Sequence, residues 1–186
     1  MIEVMVAPRF VRWFWTAIGA WSAVLVMVLP GAAISTWVAY AATVPLLGAL
    51  FAFDMVERRL PLVFSHTALG TFIGLVVLGS MMHGESRAVG AVIGASVLGV
   101  LGVVLGSRRE LFGRGDVHLC PLLGAMGGWF DPSAVVTILL VASVAGASCA
   151  LIVMSGRIGK RGDLIPYGPF LMFGTMVAMI VSAKNV

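Results

Sequence analysis

Charge is what this sequence has least of. Only 11% of its 186 residues are Asp, Glu, Lys or Arg, against roughly 25% in ordinary soluble domains, and that shortage excludes a globule with a polar coat. Cysteine is scarce as well. Cys120 and Cys149 lie in or beside apolar runs with no C-x-x-C pair, so neither a zinc ribbon nor a disulfide framework is indicated, and both read as packed thiols. No H-E-x-x-H or similar spacing occurs, so no metal site is announced. What fills the chain is hydrocarbon: 60% of residues are hydrophobic and the mean hydropathy is +1.07. The protein is an integral membrane protein. Backbone exposed to lipid must satisfy its own hydrogen bonds, which makes an all-α polytopic transmembrane helix bundle the expected fold. No composition shift separates a soluble part from a membrane part, so a single domain over residues 1–186 is expected.

Apolar runs divide at charge clusters and Pro/Gly breaks into seven segments: Trp13–Leu29, Ala32–Phe53, Leu62–Met82, Ala88–Gly106, Val117–Phe130, Ser133–Met154 and Tyr167–Ala183. About 20 residues are needed per span, so six to seven spans are expected. The first two segments, joined by "PG", can form one helical hairpin. Residues 1–33 have the outline of a secretory signal, with Arg9 and Arg12 before an apolar stretch and "PGAA" after it. The further spans and the interfacial aromatics Trp13, Trp15 and Trp21 favour a retained helix.

The net charge of +4 does not point to nucleic acid, because the basic residues sit in short clusters between apolar runs. With the N-terminus in the cytoplasm, ten of the twelve Lys and Arg residues fall on the inside, leaving Arg87 and Lys184 outside; this is the asymmetry that orients membrane proteins. The inside arginines read as anchors to anionic lipid headgroups. Three acids, Asp54, Asp116 and Asp163, then share the cytoplasmic end, while Asp131 falls at the other. Glycines spaced by four in "GAVIG", "GVVLG" and "GAMGG" predict close helix packing.

Acids in or near a bilayer are expensive and are functional suspects. Asp54 closes the second segment and Asp116 opens the fifth. Each has a bland reading: Asp54 solvates a helix end beside Arg58, and Asp116 N-caps its helix. Together they suggest hydrolysis. Two carboxylates sharing a site cannot both ionise cheaply; the ionised one takes a proton from water while the protonated one polarises the scissile carbonyl, with no metal and no covalent intermediate. The fifth segment has 14 residues, about 21 Å of helix against roughly 30 Å of hydrocarbon. A thinned bilayer, or a "GRGD" turn below the lipid surface facing a cavity, would make up the difference.

These residues resemble a known family. "FDMVERRLP", with Asp54 seven residues before Pro61, and "GRGDVHL", with Gly113, Gly115 and Asp116, are similar to the two aspartate motifs of type IV prepilin peptidases. The terminal "IPYGPFLMFG" is similar to that family's C-terminal signature, so the resemblance runs from about Ala32 onward. It implies a membrane aspartic peptidase that cuts prepilin leaders after a glycine at the cytoplasmic face of a bacterial inner membrane. Asp54 and Asp116 would be the catalytic pair, and no cofactor is needed. The wider G-x-G-D class includes presenilin-like proteins, but this chain is short for them and lacks their proline-alanine-leucine motif. Longer family members carry an N-terminal segment with paired cysteines and methylate the new N-terminus; its absence here leads to an expectation of cleavage only.

Two positions depart from the family pattern: His118 stands where lysine is common, and Leu62 follows Pro61 in place of a polar residue. Both bear on substrate contacts. Leaders in that family are basic, so Glu57, Glu110 and Asp163 are candidate counterparts, beside His118. Asp163 is not a second Asp116, because "GKRGD" spaces its glycines as G-x-x-G-D. A metal cluster of His66, His118, Asp54, Asp116 and Cys120 is the weaker reading of those side chains. The rival functions are a small proton- or ion-coupled transporter, disfavoured by acids at one face and no visible inverted repeat, and a non-catalytic scaffold built on the glycine seams.

Overall fold

The computed structural model describes residues 7–83, 87–107, 113–155 and 166–183. Every regular element among them is a helix: α1 Pro8–Val28, α2 Ile34–Glu57, α3 Leu62–His83, α4 Arg87–Gly106, α5 Arg114–Phe130, α6 Ala134–Met154 and α7 Gly168–Ala183. Five of these (α1, α2, α3, α4 and α6) are long and apolar enough to cross a membrane. The other two, α5 and α7, have 17 and 16 residues.

The helices run up and down. Phe10 of α1 meets Phe53 of α2 with ring centroids 4.9 Å apart, and Trp13 meets Phe51 at 6.0 Å; α1 and α2 are therefore the antiparallel hairpin that the "PG" turn predicts, with Gly31 at φ +89° where the chain reverses. Trp21 is fully buried. It packs into the core instead of lying at the interface, because its side of α1 faces the rest of the bundle.

The buried centre is formed by α2 and α5. Tyr40 near the start of α2 donates its hydroxyl to the Met126 carbonyl near the end of α5, at 2.7 Å. Its ring also meets Phe72 at 4.8 Å and Trp129 at 6.0 Å. A tyrosine this deep needs a partner for its hydroxyl, and an α5 carbonyl supplies it, fixing α2 antiparallel to α5.

Glycine brings α4 against α5. A side-chain carbon at Gly94 would overlap the Gly124 carbonyl oxygen, and one at Gly90 would come within 2.5 Å of the Gly128 carbonyl oxygen. Toward the other end, Gly102 and Gly106 receive Cys120 and Val117. The four-residue glycine spacing thus makes one continuous seam, as small residues do between membrane helices. Cys120 is buried in it, and Cys149 is half-buried on α6.

Two ends differ from the sequence expectation in a way that bears on the site. The second helix continues one turn past Phe53, to Glu57, so Asp54 lies within a helix instead of closing it. The fifth begins at Arg114, three residues before Val117. "GRGD" is therefore mostly helix. Glycine at two of four positions suggested a turn, but Gly113 is the cap, in extended backbone, and Gly115 is helical because another chain segment presses on it.

Candidate functional site

Asp54 and Asp116 are both buried, 5% and 6% exposed. They come from the C-terminal turn of α2 and the N-terminal turn of α5, which lie at the same end because the two helices are antiparallel. Asp116 occupies the third helical position and does not N-cap. Gly113 is the cap, and the pair bond reciprocally: the Asp116 N–H donates to the Gly113 carbonyl at 3.1 Å, and the Gly113 N–H donates back to the Asp116 carboxylate. This has the logic of a capping box, and it holds the carboxylate close to its own helix end.

Between the two carboxylates stands Gly168, the first residue of α7. A side-chain carbon there would lie 2.5 Å from Asp54 Oδ2 and 3.2 Å from Asp116 Oδ1, so both carboxylates face one small volume. The Gly168 N–H interacts with the Asp54 carboxylate, yet Asp54 Oδ2 has no hydrogen-bond partner among the described residues. The N-termini of α5 and α7 both point their positive ends at the pair. That arrangement favours a negative charge shared by two carboxylates that repel each other.

The chain between α2 and α3 forms one wall. Arg58 adopts left-handed backbone, φ 53° and ψ 36°, and its N–H closes α2 on the Asp54 carbonyl at 3.1 Å. Left-handed backbone costs a non-glycine residue about 1–2 kcal/mol. The turn delivers Leu60 onto Gly115, where an added side-chain carbon would lie 2.7 Å from the Leu60 Cβ. Pro61 then begins α3 with its carbonyl, which accepts the Phe64 N–H at 3.1 Å. Gly115 is thus required by close approach, and Pro61 stands directly before the first residue of α3.

A cavity of about 540 Å³ opens over the pair. Asp54, Asp116, Gly113, Gly115 and His118 line it, together with Arg58, Arg59, Leu60 and Leu62. His118 also meets His66 edge to face, with ring centroids 5.1 Å apart. Glu57 is exposed and does not line this cavity. Glu110 and Asp163 lie outside the described residues. Among the described residues, no three His, Cys, Asp or Glu side chains converge to hold a metal.

Sequence reasoning missed three of these features. Arg58 and Arg59 read as lipid anchors, but they line the cavity. Leu60 has no motif value until it is seen against Gly115. Gly168 has no role of its own in "IPYGPFLMFG" as a sequence; the available signal was a glycine directly before Pro169 at the start of an apolar segment.

Known proteins share sequence with this chain. The profile of the type IV leader peptidase family matches residues 41–151, a stretch that contains both aspartates. The chain is similar to the prepilin leader peptidase/N-methyltransferase of Pseudomonas putida, 30% identical over 143 residues, 73% of this chain and 48% of that protein. It is similar to the protein of the same name from Stutzerimonas stutzeri, 31% identical over 115 residues, 59% of this chain and 38% of that one. For the one from Aeromonas hydrophila the figures are 28% over 182 residues, 97% and 57%. The chain spans about half the length of these curated relatives. No solved structure matches it. Since the profile covers more than half of its length and both aspartates lie inside the match, the chain belongs to the type IV leader peptidase family.

Proposed function

We propose that this protein is a membrane-embedded aspartic endopeptidase that removes the leader from type IV prepilin-like (pseudopilin) precursors. The observation that carries the reading is the meeting of Asp54 and Asp116 around Gly168, beneath an open cavity, in a chain of the leader peptidase family. Two buried carboxylates this close share a proton more cheaply than they hold two charges. The ionised member accepts a proton from water as the water oxygen bonds to the scissile carbonyl carbon. The protonated member donates a hydrogen bond to the carbonyl oxygen and stabilises the charge that develops there. When the tetrahedral intermediate collapses, the C–N bond breaks and the amine leaves with the proton taken from water. Because the pair titrates as a unit, the roles belong to the dyad and not to either residue.

Asp54 and Asp116 both line the cavity, so the pair can be reached by water and by the substrate carbonyl. Arg58, Arg59 and His118 line the same cavity and would meet the substrate backbone and side chains. The substrate presents an extended stretch, since a helix would shield its carbonyls. Metal and cofactor have no role in this scheme.

In this reading the protein is a multi-pass component of a bacterial cytoplasmic membrane, with the dyad on the cytoplasmic side. Ten of the twelve basic residues on that side support the orientation. The activity assigned is leader cleavage, the chemistry that two carboxylates serve.

Co-expression with a candidate prepilin tests it, with leader removal followed on a gel. The parent and Asp163→Asn are expected to process the precursor, while Asp54→Asn and Asp116→Asn leave it intact. Normal processing by Asp116→Asn would sink the mechanism, and loss with Asp163→Asn alone would move the site to the other RGD.

A further inference from the structure

We infer that Gly168 is a positioning residue whose missing side chain sets the separation of the two carboxylates. The inference rests on the peptidase reading above and assigns a role to the start of α7 within it.

The geometry supplies three independent parts. First, the Gly168 Cα stands where a methyl group would crowd both aspartates at once, at 2.5 Å from Asp54 Oδ2, 3.4 Å from Asp54 Cγ and 3.2 Å from Asp116 Oδ1. Second, its N–H interacts with the Asp54 carboxylate, so one backbone unit both holds one acid and admits the other. Third, Gly168 is buried at the first position of α7, whose helix is anchored elsewhere. Gly174 lies so close to α6 that an added side-chain carbon would be 2.5 Å from the Ile138 carbonyl oxygen, and Leu171, Met172, Ala178 and Met179 are buried in the core.

These parts decide what yields when a methyl is added. A carboxylate is the free end of a side chain and can rotate, whereas α7 is held along its length by packed neighbours. The methyl of Gly168→Ala therefore displaces Asp54 and Asp116, and the helix stays in place. A shift of about 1 Å in a catalytic group can lower the rate by about 10²-fold. The loss falls on kcat, because the cavity that receives the substrate is built from α2, α3, α5 and the turn between α2 and α3, and Gly168 does not line it.

Gly174→Ala is the control. It adds the same methyl to the same helix but strains it against Ile138 of α6, six positions along from Gly168. The experiment purifies the parent, Gly168→Ala and Gly174→Ala, and measures kcat, KM and melting temperature with a prepilin-like substrate. The expected result for Gly168→Ala is a kcat lower by about 10²-fold with KM within about threefold and little change in melting temperature. Gly174→Ala is expected to lower melting temperature more than kcat. An active parent with an equally active Gly168→Ala overturns the inference and leaves the peptidase reading standing. So does a kcat loss that merely follows lost melting temperature in both variants. A parent that cleaves no prepilin-like substrate overturns the peptidase reading and this inference with it.

Discussion

Helix α5 carries an aspartate near each end, and the two behave differently. Asp131, at its C-terminus, is half-buried, and its Oδ1 accepts the Ser133 N–H at 2.8 Å. It ties the short turn into α6, the ordinary work of an aspartate in a turn. Asp116, at the N-terminus, is 6% exposed and faces a second carboxylate. The contrast comes from the neighbours, since residue type and helix are the same. At the Asp131 end, Gly124 and Gly128 close α5 onto α4 and Tyr40 ties α2 to it. At the Asp116 end, Gly115 admits Leu60 and Gly168 admits the two carboxylates, and a cavity remains. Both ends of α5 pack against α4, and the Asp116 end buries charge as well.

The sharpest break in that contrast comes from making each acid an amide. Asp116→Asn is expected to lower cleavage by about 10³-fold, the loss typical of a missing acid-base group, while melting temperature holds or rises because two crowded carboxylates become one. A fall of several degrees in melting temperature would recast Asp116 as structural.

Next in size is the seam. Gly94→Ala places a methyl on the Gly124 carbonyl oxygen, a backbone atom that cannot rotate away, so α4 and α5 must part. Overpacking of this kind costs about 1–3 kcal/mol, read by thermal denaturation in detergent micelles. An unchanged melting temperature would mean that the seam is loose.

Tyr40→Phe removes one buried hydrogen bond and keeps the ring. It is expected to cost about 1 kcal/mol with kcat unaltered, since Tyr40 meets α5 at the end away from the dyad. A tenfold kcat loss would show that the two ends are coupled.

The smallest effect belongs to Asp131→Asn, because asparagine also accepts a turn hydrogen bond. Stability is expected to change by less than about 0.5 kcal/mol, as for ordinary surface substitutions, with normal cleavage; an effect near that of Asp116→Asn would erase the difference between the ends.

Most of the fold was legible in the sequence because hydrocarbon length and charge breaks are local signals. The end of α3 at Met82 or His83, and those of α4 and α6, were readable to within a residue. The helix ends at the site were misjudged where a polar residue sits inside a helix. Asp54 looked like a boundary because acids usually mark one, but α2 buries it and continues to Glu57. "GRGD" looked like a turn because glycine usually makes one, but Leu60 explains Gly115 by contact. The aspartate pair itself was readable from its two motifs. Its third neighbour was not, since Gly168 lies 52 positions beyond Asp116 and its meaning is a missing atom, which only the assembled bundle reveals.

The central claim is that Asp54 and Asp116 act as one hydrolytic unit. Its most direct test is the cleavage rate of a prepilin-like substrate by the purified protein in liposomes, for the parent, each Asp→Asn single variant and the double variant. Effects within one catalytic unit are not additive. Each single variant is expected to lose about 10³-fold, and the double variant no more than either single. Losses that multiply, or a single variant that cleaves at the parent rate, would contradict it.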